Sequence, residues 1–129
     1  MTDKFNVKII GILFNPSAKK ILIGKNNGDK NLSFLEGDLM YDEELDVGLK
    51  RVAKEKTGYI IHNLGAVYAE NRLKDKQALR IYFLCEATEG KETPGKKVAE
   101  LKWINPKEIE KHLNKKLPTR LKEYVFGLG

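Results

Sequence analysis

Between Gly37 and Tyr59 the chain reads GDLMYDEELDVGLKRVAKEKTGY, a stretch crowded with carboxylates and cations. Asp42, Glu43, Glu44 and Asp46 come first, and Lys50, Arg51, Lys54, Glu55 and Lys56 follow. Residue types of this kind suit phosphate chemistry. Breaking a diphosphate linkage requires neutralising charge on phosphate oxygens and activating a water. A hard divalent cation does both, and Mg²⁺ takes oxygen ligands at about 2.0–2.1 Å in octahedral geometry. Glu55, joined by Glu100 from a later loop–strand junction, would hold such a cation only weakly, short of the dense acidic cluster that divalent-cation catalysis uses. The ammonium of Lys56 acts the other way: at about 4–5 Å it would repel Mg²⁺ by on the order of several kcal/mol at an effective dielectric near 20. The same group can instead contact a phosphate directly.

These side chains need rigid elements to hold them. Asp42 to Thr57 is expected to be a helix, because Leu45, Leu49, Val52 and Lys56 recur at helical spacing. Acids crowd its start and bases its later turns, which suits the macrodipole, and Gly58 follows as a C-cap. Ahead of it, VKIIGILF (Val7–Phe14) and KKILIGK (Lys19–Lys25) read as an antiparallel hairpin closed by Asn15-Pro16-Ser17-Ala18. Asn26 to Lys30 is a loop, and Asn31 to Leu35 is expected to be a short strand. Behind the helix, Tyr59–Glu70, Ala78–Thr88 and Val98–Ile104 are β-rich. TEGKETPGKK (Thr88–Lys97) is polar and long enough to be a mobile loop beside a site. Asn105-Pro106-Lys107-Glu108 opens another helix with Asn at N-cap, Pro at N1 and Glu at N3, Pro118 ends it, and Thr119–Phe126 forms a last short helix. The order β-β-(β)-α-β-β-β-α is too irregular for a doubly wound parallel sheet. An α/β fold with a mixed sheet between helices, an α/β/α sandwich, is the economical solution.

The chain has 129 residues, which points to a single domain over 1–129. One cysteine, Cys85, excludes a disulfide framework, and two distant histidines give no His-based metal site. Cys85 lies in a β run and reads as a buried small hydrophobe; Trp103 reads as core. The net charge of +6 attracts polyanions. Bases are interleaved with acids, however, and the densest basic stretches, Lys96-Lys97 and Lys115-Lys116, are only pairs without interleaved aromatics. Met1 to Lys4 carries no basic, signal-like n-region, and Val7–Phe14 is far too short to span a bilayer. A cytoplasmic protein without membrane attachment is therefore expected, as monomer or homodimer.

The Gly37–Tyr59 stretch resembles the box of the Nudix hydrolases, the MutT-like family, whose pattern is Gly-x5-Glu-x7-Arg-Glu-U-x-Glu-Glu-x-Gly-U, with U a bulky apolar residue. Gly37, Glu43, Arg51, Ala53, Glu55, Gly58 and Tyr59 fall on the pattern, and the hairpin ahead of it and AELKWINP (Ala99–Pro106) near the end agree with the family's layout. Two positions depart from it. Val52 stands where the family has the Glu after the Arg, and Lys56 where it has the second acid of the final pair. Ala53 is also small for its apolar position, and Leu35-Glu36-Gly37 replaces the usual Pro-Gly-Gly entry.

The resemblance implies a Nudix-like sandwich and a hydrolase of nucleoside diphosphate-linked compounds. Mg²⁺, with Mn²⁺ as a substitute, would be held by Glu55, Glu100 and the Gly37 carbonyl. Glu55, Arg51 and Glu43 would form the catalytic set, Glu43 and Arg51 steadying the loop–helix turn, and Arg51 and Lys56 would contact substrate. Because the box lacks two acids, weak or altered metal-dependent pyrophosphohydrolase activity is expected. The alternative is a non-catalytic module on the same fold that holds a nucleotide or phosphorylated ligand through Lys56 and Arg51. A third possibility is an RNA-binding protein drawn to its partner by net charge.

Overall fold

The structure is a computed structural model that describes residues 6–72 and 78–129; the reading of Met1 to Lys4 lies outside the described residues. Strands β1 (Val7–Asn15) and β2 (Lys20–Asn26) form the expected hairpin. Asn15 closes it by accepting the Ser17 and Ala18 N–H groups at 3.0 and 3.1 Å. The two strands stay paired only from Leu13–Asn15 with Lys20–Leu22. Beyond that they diverge, and β3 (Leu35–Asp38) lies antiparallel along the first half of β1. β2 turns its other edge to β6 (Val98–Ile104).

The short strand expected at Asn31–Leu35 is thus displaced. Only an isolated bridge joins Ser33 to Gly24, and Glu36 and Gly37 lie inside β3. A Cβ on Gly37 would come within 2.7 Å of Val52 Cγ2, so the strand runs close enough beneath the helix that a side chain there would clash.

β4 (Tyr59–Arg72) and β5 (Ala78–Gly90) complete a mixed sheet of order β4-β5-β1-β2-β6, in which β1 and β5 are parallel. Alternation along the strands divides the core into two layers. Ile9, Leu13, Leu22, Phe83 and Cys85 meet Leu49, Val52 and Ala53 of α1 (Leu45–Thr57) on one face. Ile10, Ile12, Ile21, Ile23 and Tyr82 meet Ile109, Leu113, Leu121 and Val125 on the other, from α2 (Ile109–Leu113) and α3 (Thr119–Phe126). The α/β/α arrangement is the one expected. No helix among the described residues is long and apolar enough to cross a membrane.

α1 begins at Leu45 rather than Asp42. Asp42, Glu43 and Glu44 lie ahead of it, Asp46 is the acid of its first turn, and Leu45 is 39% exposed. The acids there serve a loop instead of the macrodipole, because Glu43 spends its carboxylate elsewhere, as described below. At the other end Gly58 caps in the left-handed region (φ 80°), its N–H donating to Lys54 O. Asn105 caps a 3₁₀ turn (Pro106–Glu108) before α2, accepting the Lys107 N–H at 3.0 Å. β5 runs on to Gly90, so the polar loop is shorter than expected.

Candidate functional site

The loop before α1 is closed by a clasp of side chains. Arg51 Nε donates to Glu43 Oε2 at 2.7 Å, and Nη2 donates to Glu43 Oε1 at 2.9 Å and to the Asp38 carbonyl at 2.7 Å. Glu43 also accepts the Met40 N–H at 3.0 Å. This bidentate pair, with Glu43 only 11% exposed, fixes the end of β3 and the loop against the middle of α1. The Arg51 bonds, the Met40 N–H and the Arg51 charge hold the Glu43 carboxyl down from its ordinary 4.5 to about 2. A depressed carboxylate pKa means that the folded state binds the proton less well than the unfolded chain. Its stabilisation is therefore complete above pH 4.5 and lost as pH falls toward 2. Between about pH 6 and about pH 3 the wild-type melting temperature should fall further than that of Glu43→Gln, which lacks the titrating group; equal falls would show that the clasp carries no stability.

The candidate metal ligands are placed less favourably. The Glu55 carboxylate, 62% exposed, pairs with Arg51 Nη1 at 3.3 Å across one helical turn. Glu100 faces Lys25, its partner in the β2–β6 register, at 3.4 Å. Gly37 lies in β3 opposite Ile9, against Val52. Among the described residues no three acidic, histidine or cysteine side chains gather into a group that could hold a metal ion. Val52 is 3% exposed and packs into the core. Lys56 is half-buried, and its ammonium donates to Asn26 Oδ1 at 2.9 Å. Burial pushes this lysine below its usual pKa, Lys97 adds to the effect, and Glu36, Asp29 and Glu55 oppose it. A donor set with a valine and an ammonium at the two missing acids, and its remaining carboxylates facing cations, does not suit Mg²⁺.

What gathers at the C-terminal end of α1 is a cleft of about 290 Å³ lined by Glu55, Lys56, Lys96, Lys97 and Val98. The 91–97 segment is seated there by its backbone. Thr93 N–H donates to Thr57 O (2.8 Å) and Gly95 N–H to Lys56 O (3.1 Å). From the other side Asn27 donates its N–H to Lys97 O (2.8 Å) and its amide to Lys96 O (3.1 Å). A Cβ on Gly95 would lie 1.9 Å from the Glu55 carbonyl oxygen, so that close approach depends on glycine. Asn26 and Asn27 were not singled out from the sequence; the Lys96-Lys97 pair and the polarity of both loops were the signals available.

A second polar cluster lies across the sheet. Arg80, 8% exposed, donates from Nη2 to Glu36 Oε2 at 2.7 Å and stands with Nε 3.4 Å from Glu70 Oε1, outside hydrogen-bond geometry. Arg72 Nε donates to the same Glu70 oxygen at 3.1 Å. Tyr82 joins the cluster and packs edge-on against Phe34 and Tyr68, with ring centroids 5.7 Å apart in both pairs. Glu36 thus lies between Arg80, which it binds, and Lys56, which feels its charge.

Cys85 is fully buried; its thiol is pushed up to about 12 by burial and lies against the Ile12 carbonyl. It is the small hydrophobe expected. Trp103 is only partly buried and donates its indole N–H to Glu92 at 2.7 Å.

The sequence model of the NUDIX domain matches residues 4–125. No curated protein matches the chain. Among solved structures, a NUDIX hydrolase from Nitrosomonas europaea shares the fold with a TM-score of 0.82, at 15% identity, over 97% of this chain and 72% of that one. An ADP-ribose pyrophosphatase from Streptococcus suis gives 0.71 at 16% identity over 97% and 89%. A MutT protein from Methanosarcina mazei Go1 gives 0.75 at 16% identity over 99% and 95%.

Proposed function

Because the chain belongs to the NUDIX domain family, we propose that it is a single cytoplasmic domain that binds a nucleoside diphosphate-linked small molecule in the cleft at the end of α1 and cleaves it weakly or not at all. The observation that carries this proposal is the seat of Lys56, whose half-buried ammonium is tied to Asn26 where the family's pattern has an acid. A buried, reduced thiol at Cys85 is in keeping with a cytoplasmic setting. The ligand class rests on the fold, with ADP-ribose a sensible first compound given the S. suis neighbour.

A second reading, a metal-dependent pyrophosphohydrolase working through Glu55, Glu100 and the Gly37 carbonyl, is favoured by the intact Glu43–Arg51–Asp38 clasp, which keeps the box in its folded shape.

Turnover separates the two. With Mg²⁺ or Mn²⁺ titrated against a panel of nucleoside diphosphate-linked compounds, wild-type turnover should stay close to background while one compound still raises the melting temperature. Lys56→Glu should gain metal-dependent hydrolysis of that compound, by about tenfold or more, because it exchanges a repelling charge for a ligand oxygen. Strong Mg²⁺-dependent turnover by the wild type, abolished in Glu55→Gln, would establish the second reading. Binding to RNA that falls steeply with salt, with no small molecule bound, would overturn both.

A further inference from the structure

We propose that the cleft grips a diphosphate directly, through the ammonium groups of Lys56, Lys96 and Lys97, without a divalent cation. This rests on the preceding assignment of the ligand and names how its phosphates are held.

Three features converge on it. First, three cations line the cleft without a carboxylate in contact, while Glu36 and Asp29 act on Lys56 from farther off. Lys56, Lys96 and Lys97 line one cleft with a single carboxylate, Glu55, and that carboxylate is turned to Arg51. Among the described residues none of the three lysines has a carboxylate within ion-pair distance. Lys56 is half-buried and feels Lys97 as a like charge, a repulsion that a polyanion between them would relieve.

Second, the gathering is built by the backbone. Asn27 holds the carbonyls of Lys96 and Lys97, and Gly95 docks on the carbonyl of Lys56, so the lysine backbones are fixed on two sides of the space. The ammonium of Lys56 is itself positioned by Asn26, a neutral acceptor that orients it without cancelling its charge. With one N–H given to Asn26, the group has two left to offer an anion.

Third, the volume suits a diphosphate. About 290 Å³ lies at the small end of ligand pockets, too little for a whole dinucleotide-sized molecule but enough for its phosphate portion.

The probe is inorganic pyrophosphate, titrated calorimetrically into the full chain in EDTA and again in excess Mg²⁺. Pyrophosphate should bind in EDTA at least about tenfold more tightly than orthophosphate, and Mg²⁺ should not improve it. Lys56→Met should weaken binding about tenfold or more, and Lys96→Ala with Lys97→Ala by a similar factor, because each removes a charged donor at close range. Lys96 and Lys97 are exposed, so the second variant leaves the fold intact. Removing an equal charge at Lys115 and Lys116 should leave affinity unchanged, which separates the cleft from net charge. Pyrophosphate binding that appears only with Mg²⁺, or that survives both cleft variants, would overturn the lysine grip. If ADP-ribose binds in EDTA while pyrophosphate does not, the ligand class stands and the lysine grip falls. If neither binds under any condition, both fall.

Discussion

Replacing Arg80 with Ala should destabilise the fold by about 2–3 kcal/mol, since it leaves the half-buried Glu36 carboxylate without its cation and empties a buried site. Arg80 is 8% exposed and stands between Glu36 of β3 at 2.7 Å and Glu70 of β4 at 3.4 Å. Removing the cation leaves Glu36 without its hydrogen-bond donor and Glu70 with Arg72. The same change removes the guanidinium that lies 5.7 Å from the Tyr82 ring. Urea denaturation measures the loss. Adding Glu36→Gln to Arg80→Ala should recover part of it, because the residual cost is one of unpaired charge. A loss below about 1 kcal/mol would place the cluster with ordinary surface pairs.

Val52→Glu should carry the second large effect, and one with a pH signature. Restoring the family's acid at this position puts a carboxyl where the side chain is 3% exposed, among Leu49, Ala53, Leu35 and Ile9, and against Gly37. Burial raises a carboxyl pKa, so the variant should be less stable than wild type by about 2–4 kcal/mol at neutral pH. The sign follows from linkage. With the folded pKa above the unfolded one, the penalty is full above the raised value and shrinks as pH falls toward about 4.3. Melting curves of variant and wild type should therefore approach each other in acid. A pH-independent gap would mean that crowding, not charge, is the cause. Mg²⁺ should not rescue Val52→Glu alone while Lys56 remains, but should raise the melting temperature of the double variant with Lys56→Glu, in which two carboxylates stand one helical turn apart.

Much of this architecture was legible in the residues. The hairpin, the helix that follows it, the later strands and both faces of the sandwich follow from apolar periodicity and from Asn15, Gly58 and Asn105 at chain reversals and caps. The box pattern also located the Glu43–Arg51 clasp. What could not be read was where charge would be spent. Acids ahead of α1 looked like helix-dipole partners, yet Glu43 is consumed by Arg51 and the Met40 N–H, and the helix begins after it. Val52 and Lys56 looked like two equal losses from one site. In the structure the first is core and the second faces the cleft, because Lys56 lies one turn further on, in the last turn of α1, beside Asn26 and the 91–97 segment. The partners that define the cleft and the buried cluster are remote in sequence: Lys56 with Asn26, Arg80 with Glu36 and Asn27 with Lys96. Local pattern carries no information on such pairings.

The seating of the 91–97 segment has an evolutionary consequence. Its anchors are main-chain carbonyls of Lys96 and Lys97, held by Asn27, and main-chain contacts of Thr93 and Gly95. Such a mount is indifferent to which side chains it carries. Selection can exchange those two residues, and with them the preferred anion, while the loop keeps its place; a change at Gly95 or Asn27 would instead move every group the loop presents at once.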